Sequence, residues 1–419
     1  MNKLKLTPAE RSWVLYDVGN SAFTLLIATI IPIYFNFLAE EAGLSNVQYL
    51  AYWGYAASAA TLLVAVLGPV FGTLADTQGY KKPIFLLFLG VGLIGCIALG
   101  FAAHWLWFLL IFVVARVGYS GSLIFYDSML SDITDADRMD HVSSQGYAWG
   151  YIGSCLPFLA CLGLVLFQES LGISMGAAMA LAFGIVALWW VGCSLPLLRT
   201  YRQKYFVPAE GRPFADSFRR LGRTLKGLSG RKDILYFLLA FFFYIDGVYT
   251  IIDMATAYGT ALGLDSTGLL LALLVTQVVA FPSSLAFGRL SRKLRPESII
   301  GICIVAYLGI AIFAFWLDNL LKFWILAALV GLFQGTIQAF SRSYYTKIIP
   351  PEQSGEYFGL YDICGKGAAF MGTMLVAGVS QLTDSTNAGV GSLSVMFLLG
   401  LLCFRAAVKA RRAYLAEQQ

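Results

Sequence analysis

Twelve apolar stretches, each about 20 to 27 residues long, constrain this chain more than any other feature. At a helical rise of 1.5 Å per residue, a run of that length crosses a hydrocarbon core of roughly 30 Å. A membrane-spanning barrel would instead show segments of about 10 residues alternating in polarity. The runs fall at roughly 12–38, 49–75, 83–103, 105–130, 142–167, 174–198, 234–258, 266–288, 298–317, 320–341, 355–381 and 389–409. Only 13% of the residues are charged, about half of what a water-facing surface needs. Soluble enzymes, secreted disulfide scaffolds and disordered tails are thereby excluded. The expected fold is an all-α polytopic membrane protein with twelve transmembrane helices.

Charge placement orients the chain. With the N-terminus in the cytosol, Lys322 alone among the 29 Lys and Arg falls outside, Arg116 and Lys366 fall within spans, and the other 26 face inward. The positive-inside rule needs far less bias, so both termini are expected in the cytoplasm. No cleavable signal is visible, because Lys3, Lys5 and Arg11 lead into a span too long for one. The seven cysteines are scattered without CxxC spacing and read as small buried hydrophobes, and the two histidines, His104 and His141, form no HExxH pattern. Gly365-Lys366-Gly367 lacks the upstream glycine and following Ser/Thr of a phosphate loop. No metal site, cofactor, nucleic-acid partner or enzymatic activity is expected.

The two halves echo each other. Gly72-x-Leu74-Ala75-Asp76-x-x-Gly79-x-Lys81-Lys82 follows the second run, and Gly288-Arg-Leu290-Ser-Arg292-Lys293 follows the eighth. Gln145-Gly146-Tyr147 and Phe358-Gly359-Leu360 echo more weakly. Six-plus-six repeats mark secondary transporters, with a site near the midplane between halves. The organisation is therefore an N-terminal half over 1–198, a linker over 199–233 and a C-terminal half over 234–419. The linker carries ten Lys/Arg against Glu210, Asp216 and Asp233. Phe214, Phe218, Leu221, Leu225 and Leu228 recur in it at helical spacing, as in a basic amphipathic helix lying on anionic lipid.

Intramembrane charge concentrates in the first, fourth, seventh, tenth and eleventh runs. Such residues normally face a cavity or a partner, since a charge at bilayer centre costs about 2.5–3.5 kcal/mol on insertion scales. Asp246 lies near mid-bilayer and is the candidate coupling site, against a structural carboxylate bonded to a neighbouring helix; Asp253 lies on nearly the same face, nearer the outside. Asp17 and Asn20 share a face beside Gly19, a residue that permits a bend or a close backbone approach. Arg116 must meet a carboxylate, a substrate anion or water, because it cannot shed its proton. Gln334, Gln338 and Arg342 make a polar stripe that either contacts substrate or bonds helix to helix. Asp127 is either solvated or part of a gate. Asp362 and Lys366 form an i, i+4 pair, read as mutual neutralisation or as a gate to which Arg342 also belongs.

The Gly72–Lys82 segment resembles the signature between helices two and three of the major facilitator superfamily, with Tyr80 where an Arg is usual and Arg292 replacing the acid in the second copy. Four further stretches resemble the vacuole-effluxer, autophagy-related branch of that superfamily: Trp13–Phe23, Tyr244-Ile-Asp246-Gly247-Val248, Gln338–Ser343, and Glu356–Tyr361 with Gly365-Lys366. Val18-Gly19 departs from the Trp-Ala more usual there. The resemblance implies two pseudo-symmetric six-helix halves that rock about a cavity lined by helices one, four, seven and ten. It implies gating by Gly72, Asp76, Gly79 and Lys81, and amino-acid efflux. Short termini and loops fit a bacterial member.

The expected function is proton-coupled export of a small polar or zwitterionic solute across the plasma membrane by a monomer. Asp246 and Asp17 would attract an ammonium or proton, while Arg116, Gln334 and Gln338 would hold carboxylate or polar groups. Protons or another ion would drive it. A lysophospholipid or other amphiphile carrier, and a receptor that moves nothing, are the rivals.

Overall fold

The computed structural model describes residues 5–208, 213–261, 263–264 and 266–418. Its N-terminal half contains α1 (Pro8–Ala28), α2 (Ile30–Glu41), α3 (Asn46–Ala75), α4 (Lys81–Leu99), α5 (Trp105–Ser128), the short α6 (Leu130–Ile133), α7 (Met139–Leu166) and α8 (Met175–Thr200). A linker helix, α9 (Pro213–Gly227), follows. The C-terminal half contains α10 (Lys232–Ala261), α11 (Ser266–Leu290), α12 (Pro296–Phe313), α13 (Leu320–Ile348), α14 (Ser354–Thr383), α15 (Thr386–Gly391) and α16 (Leu393–Glu417). Among the described residues, twelve helical segments are long and apolar enough to cross a membrane. An even number of crossings puts both chain ends on one side, here called the terminal face.

Two hydrophobic cores, one centred in each half, express the repeat. One is built around Trp13, Phe23, Phe112 and Trp190 of the first half, the other around Phe237, Tyr244, Tyr307 and Phe397 of the second. Small residues let the halves meet closely. A methyl group on Gly72 of α3 would collide with the Gly355 carbonyl of α14, and one on Gly288 of α11 would press on Ser144 of α7. These glycines hold corresponding places in the two sequence copies.

Several boundaries differ from the sequence reading for identifiable reasons. The first run is two helices, because Pro32 has no N–H to offer the Ala28 carbonyl and the ladder breaks at Thr29 (φ −132°, ψ −71°). Gly19 makes no bend; it admits Cys193 and Trp190 of α8 instead. The tenth run continues to Ile348, two turns beyond the expected stop, since Arg342 lies inside the protein and does not end the helix. The last run opens with the separate short helix α15.

In the linker, α9 occupies part of the expected amphipathic stretch. Phe218 and Leu225 are exposed on it, and the Arg220 guanidinium donates to the Thr73 carbonyl of α3. Glu210 and Arg212 lie outside the described residues, as do the side chains of Phe214 and Asp216. Upstream of α9, the linker straps the α3–α4 turn. Val207 N–H donates to the Asp76 carbonyl at 2.8 Å, and its own carbonyl accepts from Gln78 at 3.1 Å.

Candidate functional site

The α3–α4 turn forms the outermost layer. Gly79 adopts φ +80°, a left-handed conformation that favours glycine, and so turns the chain from α3 into α4. Asp76 caps the start of α14 across the divide between halves: Oδ1 accepts from Gly355 N–H at 2.7 Å and Oδ2 from Glu356 N–H at 2.9 Å. A carboxylate at a helix N-terminus meets the free N–H groups and the positive end of the dipole together. Lys81, wholly buried, lies 3.7 Å from Asp76 and 3.5 Å from Asp132, and donates to Ser354 Oγ at 2.8 Å. Asp132 was invisible as a partner in the sequence because it belongs to a one-turn helix between spans. It also accepts from Lys204 and Tyr205 N–H and from the Tyr201 hydroxyl at 2.6 Å. Burial and the neighbouring Asp132 push the Tyr201 phenol up, so it remains a donor.

Deeper in, Arg342 of α13 ties four helices together. Its guanidinium reaches Asp127 of α5 at 2.9 Å, Asp17 of α1 at 3.2 Å, and both Oγ and the carbonyl of Ser143 on α7 at 2.9 and 3.1 Å. The rings of Trp13 and Tyr147 lie 4.5 and 4.4 Å from its central carbon. The fork of an Arg, charged at every working pH, suits this many partners at once. Asn20 donates to Asp17 Oδ1 at 3.3 Å, so this pair serves the Arg342 knot. One turn outward, Asp140 of α7 accepts from Ser343 at 2.7 Å and pairs with Lys347 at 2.7 Å. Hydrogen bonds and ion pairs between the halves cluster from these layers up to Gln338, whose amide donates to the Tyr151 hydroxyl at 3.1 Å. The terminal face is closed.

Beyond the knot, Arg116 of α5 and Asp253 of α10 face each other across the two halves. Each is the other's charged neighbour, yet they form no ion pair or hydrogen bond with one another. Asp253 is exposed although the bundle surrounds it, and Arg116 is half-buried. They therefore line an internal cavity, and the guanidinium carbon of Arg116 lies over the ring of Phe112, 5.9 Å from its centroid. Tyr249 of α10 lies in the electrostatic reach of Asp253, Asp127, Asp362 and Tyr119. Asp362 and Lys366 of α14 pair with each other.

Other expected contacts take different places. Gln334 bonds within its own half, to Gln277 at 3.4 Å. Asp246 has no exposure at all and sits between α10 and α14. Its Oδ1 accepts from Thr250 at 3.3 Å, and its Oδ2 has no hydrogen-bond partner. Asp246 thus does not line the cavity. Sequence reasoning missed Ser143, Tyr147, Tyr151 and Tyr249. The i, i+4 spacing of Tyr147 and Tyr151 was the available signal, but it is indistinguishable from core packing.

The family described as "Vacuole effluxer Atg22 like" matches residues 8–417. The chain belongs to that family. Among its relatives, an uncharacterized MFS-type transporter, YxiO, of Bacillus subtilis is 40% identical over 99% of this chain and 98% of its own length. Autophagy-related protein 22 of Coccidioides immitis is 26% identical over 62% of this chain, a match that spans 47% of the fungal protein. Solved structures place the Atg22-like chain in the major facilitator fold. The transporter FucP in the outward conformation superposes with a TM-score of 0.73 at 12% identity, covering 96% of this chain and 98% of FucP. A bacterial homologue of the iron transporter ferroportin, outward-facing, gives 0.68 at 17%, covering 98% and 100%. The Atg22-like chain is an MFS-type transporter, and its closed terminal face is the side on which its halves are locked.

Proposed function

We propose that this transporter moves a small zwitterionic solute, an amino acid or a compound of the same charge pattern, by alternating access. One observation carries the reading: a cation from one half and a carboxylate from the other face a shared cavity without pairing. A zwitterion placed between them gives Arg116 a carboxylate and Asp253 an ammonium, and so links the halves where they are apart. Charge-assisted bonds of this kind are short and strong. A carrier of long apolar tails would need a dry wall at this level, whereas Arg116, Asp253 and Tyr249 gather there.

Closure around the solute would have to be matched by release of the Arg342 knot and of the Asp76 cap, which supplies the alternation. Asp246 is the proposed coupling site. It is a buried carboxylate with one oxygen unpartnered, and a proton is the smallest partner that oxygen can take. The near-exclusive placement of Lys and Arg toward the terminal face supports a cytoplasmic terminal face. The plasma membrane as its location rests on the likeness to a bacterial relative, and export as the direction on the likeness to vacuole effluxers.

Thermal unfolding in detergent tests the binding step. A zwitterionic amino acid at 100 times its Kd should stabilise the protein by about 2.7 kcal/mol. Its amine-only and acid-only analogues should do little, and Asp253→Asn should abolish the shift. Equal stabilisation by the single-charge analogues would refute a two-ended site.

A further inference from the structure

Between α12 and α16, on the outer flank of the second half, lies a groove of about 660 Å³ remote from the transport cavity. Its inner wall is apolar, formed by Ile302, Val305 and Leu401, and Ile302 and Val305 are about half exposed on a surface that faces lipid. Toward the terminal face the lining changes to Arg405, Lys409 and Arg412. Steps of four and three residues set these three cations on one stripe of α16.

Their depth makes the stripe unusual. Arg411 next to them pairs with Asp233 at 3.0 Å, at the very start of α10, which marks the terminal end of the spans. Arg405 lies six residues nearer the membrane centre, about 9 Å at the helical rise. Among the described residues none of Arg405, Lys409 and Arg412 forms a hydrogen bond or ion pair with the protein. Glu297, across the groove on α12, is the one acid in the lining and leaves two positive charges uncompensated. A guanidinium facing hydrocarbon without a protein partner must reach water or a lipid headgroup.

We propose that this groove binds one anionic phospholipid. Its phosphate sits among Arg405, Lys409 and Arg412, and one acyl chain lies along Ile302, Val305 and Leu401. A soluble anion would leave the apolar wall uncovered. A zwitterionic headgroup would bring its own ammonium against three cations. Basic pockets between spans at this level are where anionic headgroups dock. The site is separate from the linker helix and independent of which solute the cavity carries.

Native mass spectrometry of the full chain in detergent, with phosphatidylglycerol and phosphatidylethanolamine of identical acyl chains added equally, reads the site directly. The first bound lipid should favour phosphatidylglycerol by at least about tenfold. The variant R405Q/K409Q/R412Q should lose that preference. The control R202Q/R219Q/K226Q removes as many charges from the linker and should keep it. A retained preference in the first variant, or an equal loss in the control, would overturn the proposal. If the triple variant does not fold, R405Q and the charge-preserving R405K/R412K make the same comparison; equal preference in those two would also overturn it.

Discussion

Arg342 shows how much of this site one side chain organises. Asp17, Asp127 and Arg342 stand out in the sequence because charge inside an apolar run demands a reason. That they meet could not be read there, since 325 residues separate Asp17 from Arg342. Ser143 was wholly unremarkable as a sequence letter, yet it accepts from two nitrogens of Arg342. Removing Arg342 would leave two carboxylates facing each other in a half-dry interior. Breaking a buried pair by deleting one partner costs about 3–5 kcal/mol. Arg342→Ala is therefore expected to lower the midpoint of thermal unfolding clearly, while Arg342→Lys, which keeps the charge and loses the fork, falls between it and the unsubstituted protein. A midpoint unchanged in Arg342→Ala would mean that the knot contributes nothing to the closed state. Asp246 carries the opposite lesson: its depth was readable, but its burial against α14, away from the cavity, was not.

At the scale of elements, span number and most span boundaries were legible because hydrocarbon thickness fixes helix length. The errors arose where local chemistry overrode that rule, at Pro32 and beyond Arg342. The Gly72–Lys81 turn was legible as a motif, and its geometry explains each position. Gly72 lets α3 touch α14, Gly79 makes the turn, Asp76 caps α14 and Lys81 lies between Asp76 and Asp132. The strap formed by Val207 and the contacts of Asp132 were not legible, because an extended linker pairs through backbone groups that any sequence supplies. Gly72→Val places a branched side chain against backbone, which cannot move aside as a flexible side chain would. Spin labels on the terminal ends of α3 and α14 should then report a longer and broader distance distribution than in the unsubstituted protein. An unchanged short distance would show that the glycine contact does not hold the terminal face shut.

For the whole molecule, the division into two six-helix halves followed from the internal echo, and each half has a core of its own, with Val64 and Ile124 of the first half joining the core of the second. Which way the molecule faces did not follow, because a transporter sequence must satisfy both faces in turn. The structure has the terminal face locked by Asp76, Asp140 and Arg342, while Arg116 and Asp253 remain apart in the cavity. On the proposed reading, a rigid-body exchange between that arrangement and its reverse would give both layers a purpose: the lock would open when the solute draws the cavity closed. Arg116 and Asp253 would then both be needed for movement of solute, whereas Arg292, exposed in the second sequence copy, would not. The most direct measurement is solute-triggered proton flux in liposomes containing a pH-sensitive dye, across a panel of zwitterionic amino acids. The account predicts flux with at least one of them, lost in Arg116→Gln and in Asp253→Asn and retained in Arg292→Gln. Flux that persists undiminished in both cavity variants would contradict it.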